Sequence, residues 1–522
     1  IYISDWMLID YTTHKRGRIW KVTPRDGVVT VPPRAPFTPP EPSPALARLN
    51  ALYTLSSAGD YPRLRQALTD DDPFVRSAAA TALAKPAFRR AVIGDLEHPN
   101  ERVRLGALLA LRQADVPNPK ALIAPRLRDS SGDVVQMAMV WAGEKVIRSL
   151  MPQVDAAVST RSMSKRLFET WLATMQILQH EGLETLYAKH TPPGAISRDL
   201  SPELIERLVL DERRPTMLRA LALRWLSEID EPATHASLLR LARTGDQALQ
   251  LEALRRLAVS KQPDARETLR AVAFDTSQEA AARTEALLSL AATPGASLLP
   301  LVDDSVAAVR LEAARTLRTA ASQPEVRATL TKKLATIERD ASDATMANQI
   351  EFMLGRESVG RPTTVEGWQA LLATGGNVDA GRRVFFSTNS ACNTCHVAEG
   401  RGGVLGTGFS TMPFGPDLSV IARVANRQQL IEAIVAPSND IAPEMQGWLV
   451  RKKSGEVLTG RQIDQADRHI QLIMLDGKEH DIPREEIASW GAMDLSLMPP
   501  GLPAAMAVEE FRDLVAYLES LK

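Results

Sequence analysis

Between residues 45 and 355 one pattern recurs: an apolar residue, an Ala four positions on and a Leu eight positions on. It occurs at Val75/Ala79/Leu83, Val103/Ala107/Leu111, Leu218/Ala222/Leu226, Leu249/Ala253/Leu257, Ala282/Ala286/Leu290 and Val309/Ala313/Leu317. Positions i, i+4 and i+8 share one helix face, so each triplet predicts a buried stripe on one helix. Where copies adjoin, their starts fall 28, 31, 33 and 27 residues apart. That period has room for two short helices, and a helix pair this small buries its apolar face only by stacking on its neighbours. The stretch 135–217 is expected to hold degenerate copies, such as Val134/Ala138/Ala142. The expected fold class is mainly α, with an α-solenoid over 45–355. The scarcity of aromatics, 5% of the chain, agrees with helices rather than sheets.

The residue after the first apolar position of each triplet is polar and often basic: Arg76, Arg104, Arg219, Gln250, Arg283 and Arg310. Such a row could be an anion-binding face, or a ladder of arginines bonded to Asp and backbone groups. The ladder is the better reading, because each copy must seal to the next. Asp71-Asp72-Pro73-Phe74-Val75-Arg76 and His98-Pro99-Asn100-Glu101-Arg102-Val103-Arg104 resemble the HEAT repeat in a short form like that of the phycobilisome lyases. The shorter period means that the curvature of the standard repeat does not carry over.

The chain has 522 residues, enough for roughly three or four domains. Lys+Arg is 62 and Asp+Glu is 63, a net charge of -1. That balance lacks the basic excess of a nucleic-acid binder. No run of 18 apolar residues exists, so no membrane span is expected. Residues 1–27 hold two strand-like runs, Ile1–Ser4 and Arg18–Val22, and begin without an initiator Met, as a fragment of a longer protein would. Residues 28–44 carry seven prolines from Pro32 to Pro44 and read as an extended linker. Beyond Gly355 the repeat stops, and 356–378 reads as a second linker. Residues 379–445 look helical with Gly-rich loops. Over 446–490 the period changes to two, in the runs Trp448–Lys453, Glu456–Gly460, Ile470–Leu475 and Glu479–Ile482, with Ser454-Gly455 and Asp476-Gly477 as hairpin turns. Val508–Leu521 is an amphipathic helix.

Both cysteines of the chain lie in one window, Cys392-Asn393-Thr394-Cys395-His396. CxxCH is the attachment pattern of c-type haem. Two thiols three positions apart reach the two vinyl groups of one porphyrin, and the adjacent His sits under the iron as axial ligand. A thioredoxin-like dithiol would need a helix N-terminus within a βαβ unit, and that context is missing. A zinc site would need a further Cys or His pair at ligand spacing, and His469 and His480 do not form one. For the sixth iron position the candidates are Met412, Met445, Met474, Met493, Met498, His469 and His480. Met498 is favoured, because Leu497-Met498-Pro499-Pro500-Gly501-Leu502 is a proline-stiffened loop just before the last helix. Met445 is second.

Residues 379–522 resemble a class I cytochrome c domain. Asp379-Ala380-Gly381-Arg382-Arg383-Val384-Phe385 is similar to the helix that precedes the haem motif, and Leu514-Val515-Ala516-Tyr517-Leu518 to the last helix that crosses it. Gly415-Pro416-Asp417-Leu418 resembles the loop whose proline carbonyl, here that of Pro416, holds the proximal His. With Ala436-Pro437-Ser438 and Leu495-Ser496-Leu497-Met498-Pro499, the segment is most similar to the haem-binding domain of large planctomycete and verrucomicrobial proteins. In that family a propeller resembling sugar and sorbosone dehydrogenases precedes the repeats, and 1–27 would be its closing strands. A β-hairpin insert at 446–490 is expected in such a domain.

The resemblance implies a c-type cytochrome with one haem c held by Cys392 and Cys395, ligated by His396 and Met498, and located in the periplasm or otherwise outside the cytoplasm. Its partners would be an electron donor, from a fused or separate dehydrogenase, and an electron acceptor, with the solenoid free to bind protein. Two rivals stay open. One is a haem-linked sugar-type dehydrogenase whose catalytic propeller lies outside this chain. The other is a solenoid scaffold with a haem sensor. No catalytic constellation stands out in the residues present.

Overall fold

The structure is a computed structural model. It describes residues 2–5, 18–21, 44–159, 163–179, 206, 208–224, 232–292, 294–337, 343–357, 360–402, 414–465, 468–475 and 478–522. The proline-rich segment 28–43 and the remainder of 1–27 lie outside these, apart from Tyr2–Asp5 and Arg18–Lys21, which pair as antiparallel strands. The chain is mainly helical and divides into two compact units. One comprises 1–199 with 212–221, the other 200–211 with 222–522. The division thus falls inside the repeat region rather than at a linker. Among the described residues no helix is long and apolar enough to cross a membrane.

Each unit contains stacked helix pairs. In the first, Tyr61–Ala67 packs with Pro73–Leu83, Arg89–Gly94 with Glu101–Gln113, Lys120–Arg126 with Gly132–Glu144, and Met151–Ala157 with Lys165–Gln179. In the second, Pro232–Thr244 packs with Gln247–Leu257, Pro263–Phe274 with Ala280–Leu290, the 3-10 helix Ala296–Asp303 with Ala307–Thr316, and Pro324–Thr336 with Ala344–Leu354. Five triplets start on the second helix of a pair and one, Leu218/Ala222, on Thr216–Leu223; their described residues are all buried, and Leu226 lies outside the described residues. Local chemistry starts these helices. Asp72, Asn100 and Asp246 each accept a backbone N–H from the first turn, and Pro73 occupies a position where its missing N–H loses nothing.

The basic row is a ladder. Arg104 donates to the carbonyls of His98 and Pro99 at 2.8 and 2.9 Å, and to both oxygens of Asp129 in the next copy at 2.8 Å. Arg310 repeats the arrangement, with the carbonyls of Asp304 and Ser305 and the carboxylate of Asp343. Arg283 bonds the Ala273 carbonyl and pairs with Asp304. Arg104 and Arg310 therefore tie the entry of their own helix to the following repeat, and Arg283 links the helix before its own to the following repeat. Asp129 also accepts the Ser131 N–H, just ahead of the next helix, at 2.9 Å. Burial would raise its pKa, but Arg104 and that N–H hold the carboxyl below its usual range.

The last part of the second unit is a domain built on four helices, Val365–Leu371, Val378–Phe386, Arg427–Val435 and Val508–Ser520. Its core joins Trp368, Leu372, Val384, Phe385, Leu430, Ile431, Phe511, Leu514 and Tyr517. The reading of 356–378 as a linker is corrected here: Trp368 is buried with its ring centroid 5.4 Å from that of Phe511, so this segment belongs to the domain. Its short helix is capped by Thr364 and has one apolar turn, too little for a periodic signal. Val378–Phe386 and Val508–Ser520 cross at Gly381. A Cβ there would lie 1.8 Å from the Asp513 carbonyl oxygen and 2.9 Å from the Tyr517 Cβ, so only glycine admits this crossing.

Between Arg427–Val435 and Val508–Ser520 the chain forms an antiparallel sheet. Its strand order is Glu479–Pro483, His469–Ile473, Val457–Gln465, Gly447–Lys452 and Ile487–Ala492. Four of these strands coincide with the period-two runs. The fifth extends the expected hairpin insert into a five-stranded sheet with its own core of Val450, Ile470, Leu472, Ile482 and Ile487. Ile487–Ala492 buries only Ile487 fully and alternates weakly, and a 3-10 turn at Arg484–Glu486 carries the chain back beside the first strand.

Asp129→Asn should remove the paired charge and leave the part-buried Arg104 uncompensated, a loss of about 1–3 kcal/mol. Urea denaturation followed by helical circular dichroism should show this loss, while the exposed Asp133→Asn should leave the midpoint unchanged.

Candidate functional site

Cys392–Cys395 forms a single helical turn. The chain enters it through Ala391 at φ 53°, and Ser390 fastens this entry to the preceding helix by bonding the Val384 carbonyl. The turn ends at His396, whose extended backbone releases the ring from the helical line. Residues 415–418 then run alongside 395–397. Gly415 N donates to the Cys395 carbonyl at 2.8 Å, Leu418 N donates to the Val397 carbonyl at 2.7 Å, and Val397 and Asp417 form a parallel bridge. This apposition delivers the Pro416 carbonyl oxygen to His396, whose Nδ1–H donates to it at 3.1 Å. Gly415 is required, because a Cβ there would lie 2.9 Å from the His396 ring atoms Cε1 and Nδ1.

The electrostatics distinguish among chemistries. Burial lowers the His396 pKa, so the ring is neutral at physiological pH. With the proton on Nδ1, the lone pair lies on Nε2, on the opposite edge of the ring. Burial raises the Cys395 thiol and pushes Cys392 up to about 11. Reactive dithiols have depressed thiol pKa values, so this pair is unsuited to thiol–disulfide exchange. Both cysteines are free thiols. Among the described residues no group of three or more His, Cys, Asp or Glu is gathered to hold a metal ion.

Cys392 and Met498 both pack at the edge of the same apolar cluster, together with Phe386, Leu418, Ile421 and Leu502. The Met498 loop is tied down: Met498 N donates to Ser496 Oγ and Ser496 N donates to Ser438 Oγ, each at 3.1 Å. Met474 packs against the separate core of the sheet, and His469 and His480 lie on sheet strands. Met445 is half-buried in a 3-10 turn, and Met493 N bonds the Gly447 carbonyl at the sheet margin. Met412 lies outside the described residues.

A further set of residues went unread in the sequence. Glu252, Glu285 and Glu312 occupy the same place, three residues after the first triplet position, in three successive repeats. Glu252 pairs with Arg401, Glu285 with Arg382 at 3.0 Å and Glu312 with Arg383 at 2.7 Å. Arg315 pairs with Asp513 at 2.9 Å, and Arg318 pairs with Glu510. The periodic glutamate was the available signal, since earlier copies carry Ala78, Gly106, Met137 and Leu221 there. Burial opposes the Glu285 charge, but Arg255 and Arg382 hold its pKa down at about 2.

No family model and no curated protein matches the chain. Among solved structures there is a similarity to human deoxyhypusine hydroxylase in complex with glycerol. It covers 57% of this chain and 99% of that one, at 15% identity and a TM-score of 0.19. A likeness of that size carries no argument about the site.

Gly415→Ala should force the His396 ring from the Pro416 carbonyl, with a stability loss of about 1–3 kcal/mol as for other overpacked sites. Amide hydrogen exchange over 415–418 should quicken, whereas Gly491→Ala, where a Cβ meets open space, should change nothing there.

Proposed function

We propose that the chain is a haem protein of the c type, and specifically an electron-transfer cytochrome carrying one covalently bound haem. The observation that carries this reading is the turn Cys392–Cys395 followed by a neutral His396 whose Nδ1–H is held by the Pro416 carbonyl. The donor set fits the group. Two unpaired thiols stand one turn apart for thioether bonds, Nε2 is presented as proximal ligand, and Met498 offers a thioether from a loop packed on the same apolar cluster. Bound haem supplies one-electron chemistry, and His/Met ligation would raise its potential, as suits an acceptor of substrate-derived electrons. The chain's own residues orient the imidazole through Pro416, keep the thiols protonated until attachment, and exclude water with Phe386, Leu418 and Leu502.

Covalent attachment in bacteria takes place outside the cytoplasm, so this reading carries a periplasmic or otherwise extracytoplasmic location. Its electron donor would be a fused or separate dehydrogenase. The sensor alternative requires an open sixth position, and the fastened Met498 loop favours the electron-transfer reading over it.

Cys392→Ala together with Cys395→Ala should abolish covalent haem, since no other thiol exists in the chain. A haem-stained denaturing gel should show a band for the parent and none for the double variant; a stained band from the variant would sink the assignment.

Met498→Leu preserves volume, so it should cost less than ~1.5 kcal/mol in stability. It should remove the sulfur-to-iron absorption of the oxidised protein and lower the reduction potential. Met445→Leu should leave both unchanged.

A further inference from the structure

Four arginines and three carboxylates meet beneath the segment that carries Cys392, Cys395 and His396. Glu252, 2% exposed, pairs with Arg224 at 2.9 Å, with Arg255 at 3.0 Å and with Arg401. Glu285 takes Arg255 and Arg382 at 2.8 and 3.0 Å. Glu399, three residues after His396, pairs with Arg382 at 3.2 Å and accepts from the Tyr517 hydroxyl at 3.0 Å, while its carbonyl accepts from Arg224 at 3.1 Å. The cations are Arg224, Arg255, Arg382 and Arg401, and the anions Glu252, Glu285 and Glu399. Burial, despite Glu252, lowers the Arg401 pKa to about 9, so it remains charged at neutral pH.

The placement in sequence gives this cluster its meaning. Arg382 and Arg383 precede the Cys392–Cys395 turn, and Arg401 follows it. All three are held by the repeat-registered glutamates of the solenoid. Both flanks of the turn are therefore anchored to a stacked-helix frame. Farther along the interface the polarity reverses, with solenoid Arg315 and Arg318 facing Asp513 and Glu510 of the last helix. In this seat each of the three arginines of the domain meets a glutamate, and each of the two acidic residues of the last helix meets an arginine, an electrostatic match that favours this seat.

We propose that Glu252 and Glu285 are positioning residues, which set the Cys392–His396 turn through Arg401 and Arg382 and so make the solenoid the frame of the haem site. This deepens the haem reading above and rests on it for the effect on potential. Glu252 is the keystone, because it gathers guanidinium groups from three separate segments. Its neutralisation leaves Arg401 and Arg224 facing each other without the carboxylate between them.

The test uses the full chain. Glu252→Gln should speed amide hydrogen exchange over 397–402 by about tenfold, with exchange in the sheet strands 447–452 and 469–473 unchanged. Asp129→Asn, which breaks a comparably buried pair of the other unit, should leave 397–402 unchanged. Arg401→Lys keeps the charge without the forked geometry and should give a smaller acceleration; it carries the test should Glu252→Gln not fold. In the haem-loaded protein, Arg401→Gln should lower the midpoint potential, because loss of a buried cation favours the oxidised state. Asp129→Asn should not move it. Unchanged exchange over 397–402, or equal acceleration of turn and sheet, overturns the positioning role. A parent chain that carries no covalent haem overturns the haem reading instead, and the exchange comparison still decides the role of Glu252.

Discussion

The backbone contact at Gly381 places everything else in the C-terminal domain. There the helix before the cysteine turn and the last helix of the chain touch without side chains between them. Phe385 then meets Tyr517 with ring centroids 5.7 Å apart, and Asp513 accepts the Asn377 N–H at 2.8 Å. Tyr517 reaches on to Glu399 beyond the turn. The two ends of the domain thus close around Cys392–His396, and the cysteine turn is held between them although it is only four residues long. A turn this short has no stability of its own.

The same two helices carry Arg382, Arg383, Glu510 and Asp513, four of the residues that meet the solenoid, so the domain's internal closure and its seating are coupled. Arg382 and Arg383 lie one and two positions after Gly381, and Asp513 is the residue whose carbonyl Gly381 approaches. Buried ion pairs contribute little net stability compared with a well-packed apolar contact, yet losing one partner is expensive. A row of them therefore specifies where the domain sits more than it strengthens the seat. The net charge of -1 conceals this, because much of the charge is spent between surfaces of the chain itself. The basic row of the repeats is likewise consumed internally, in Arg104 to Asp129 and Arg310 to Asp343, which leaves those arginines unavailable as an anion-binding face.

Local pattern reveals what local physics controls. The triplets, the Asp-Pro and Asn helix starts, four strands of the sheet and the last helix could be read directly, since each depends on spacing within about a dozen residues. The cysteine turn could also be named from its residues, and the segment 415–418 only through the resemblance its residues carry; the structure brings His396 and Pro416 together. The helix Val365–Leu371 and the strand Ile487–Ala492 were not legible. One has too few turns for a period, and the other is an edge strand defined by its partner Gly447–Lys452 rather than by alternation.

By itself the sequence determined that this chain is a helical repeat followed by a cysteine-bearing domain, because periodicity and the CxxCH spacing are properties of adjacent residues. It also contained the glutamates at 252, 285 and 312 in register, without showing what they meet. Only the tertiary structure decided that. Pairing Glu252 with Arg401 joins residues 149 apart, and Arg315 meets Asp513 across 198. Such contacts depend on how two surfaces are stacked, and no short-range pattern in a single chain encodes which charge on one surface will face which charge on the other.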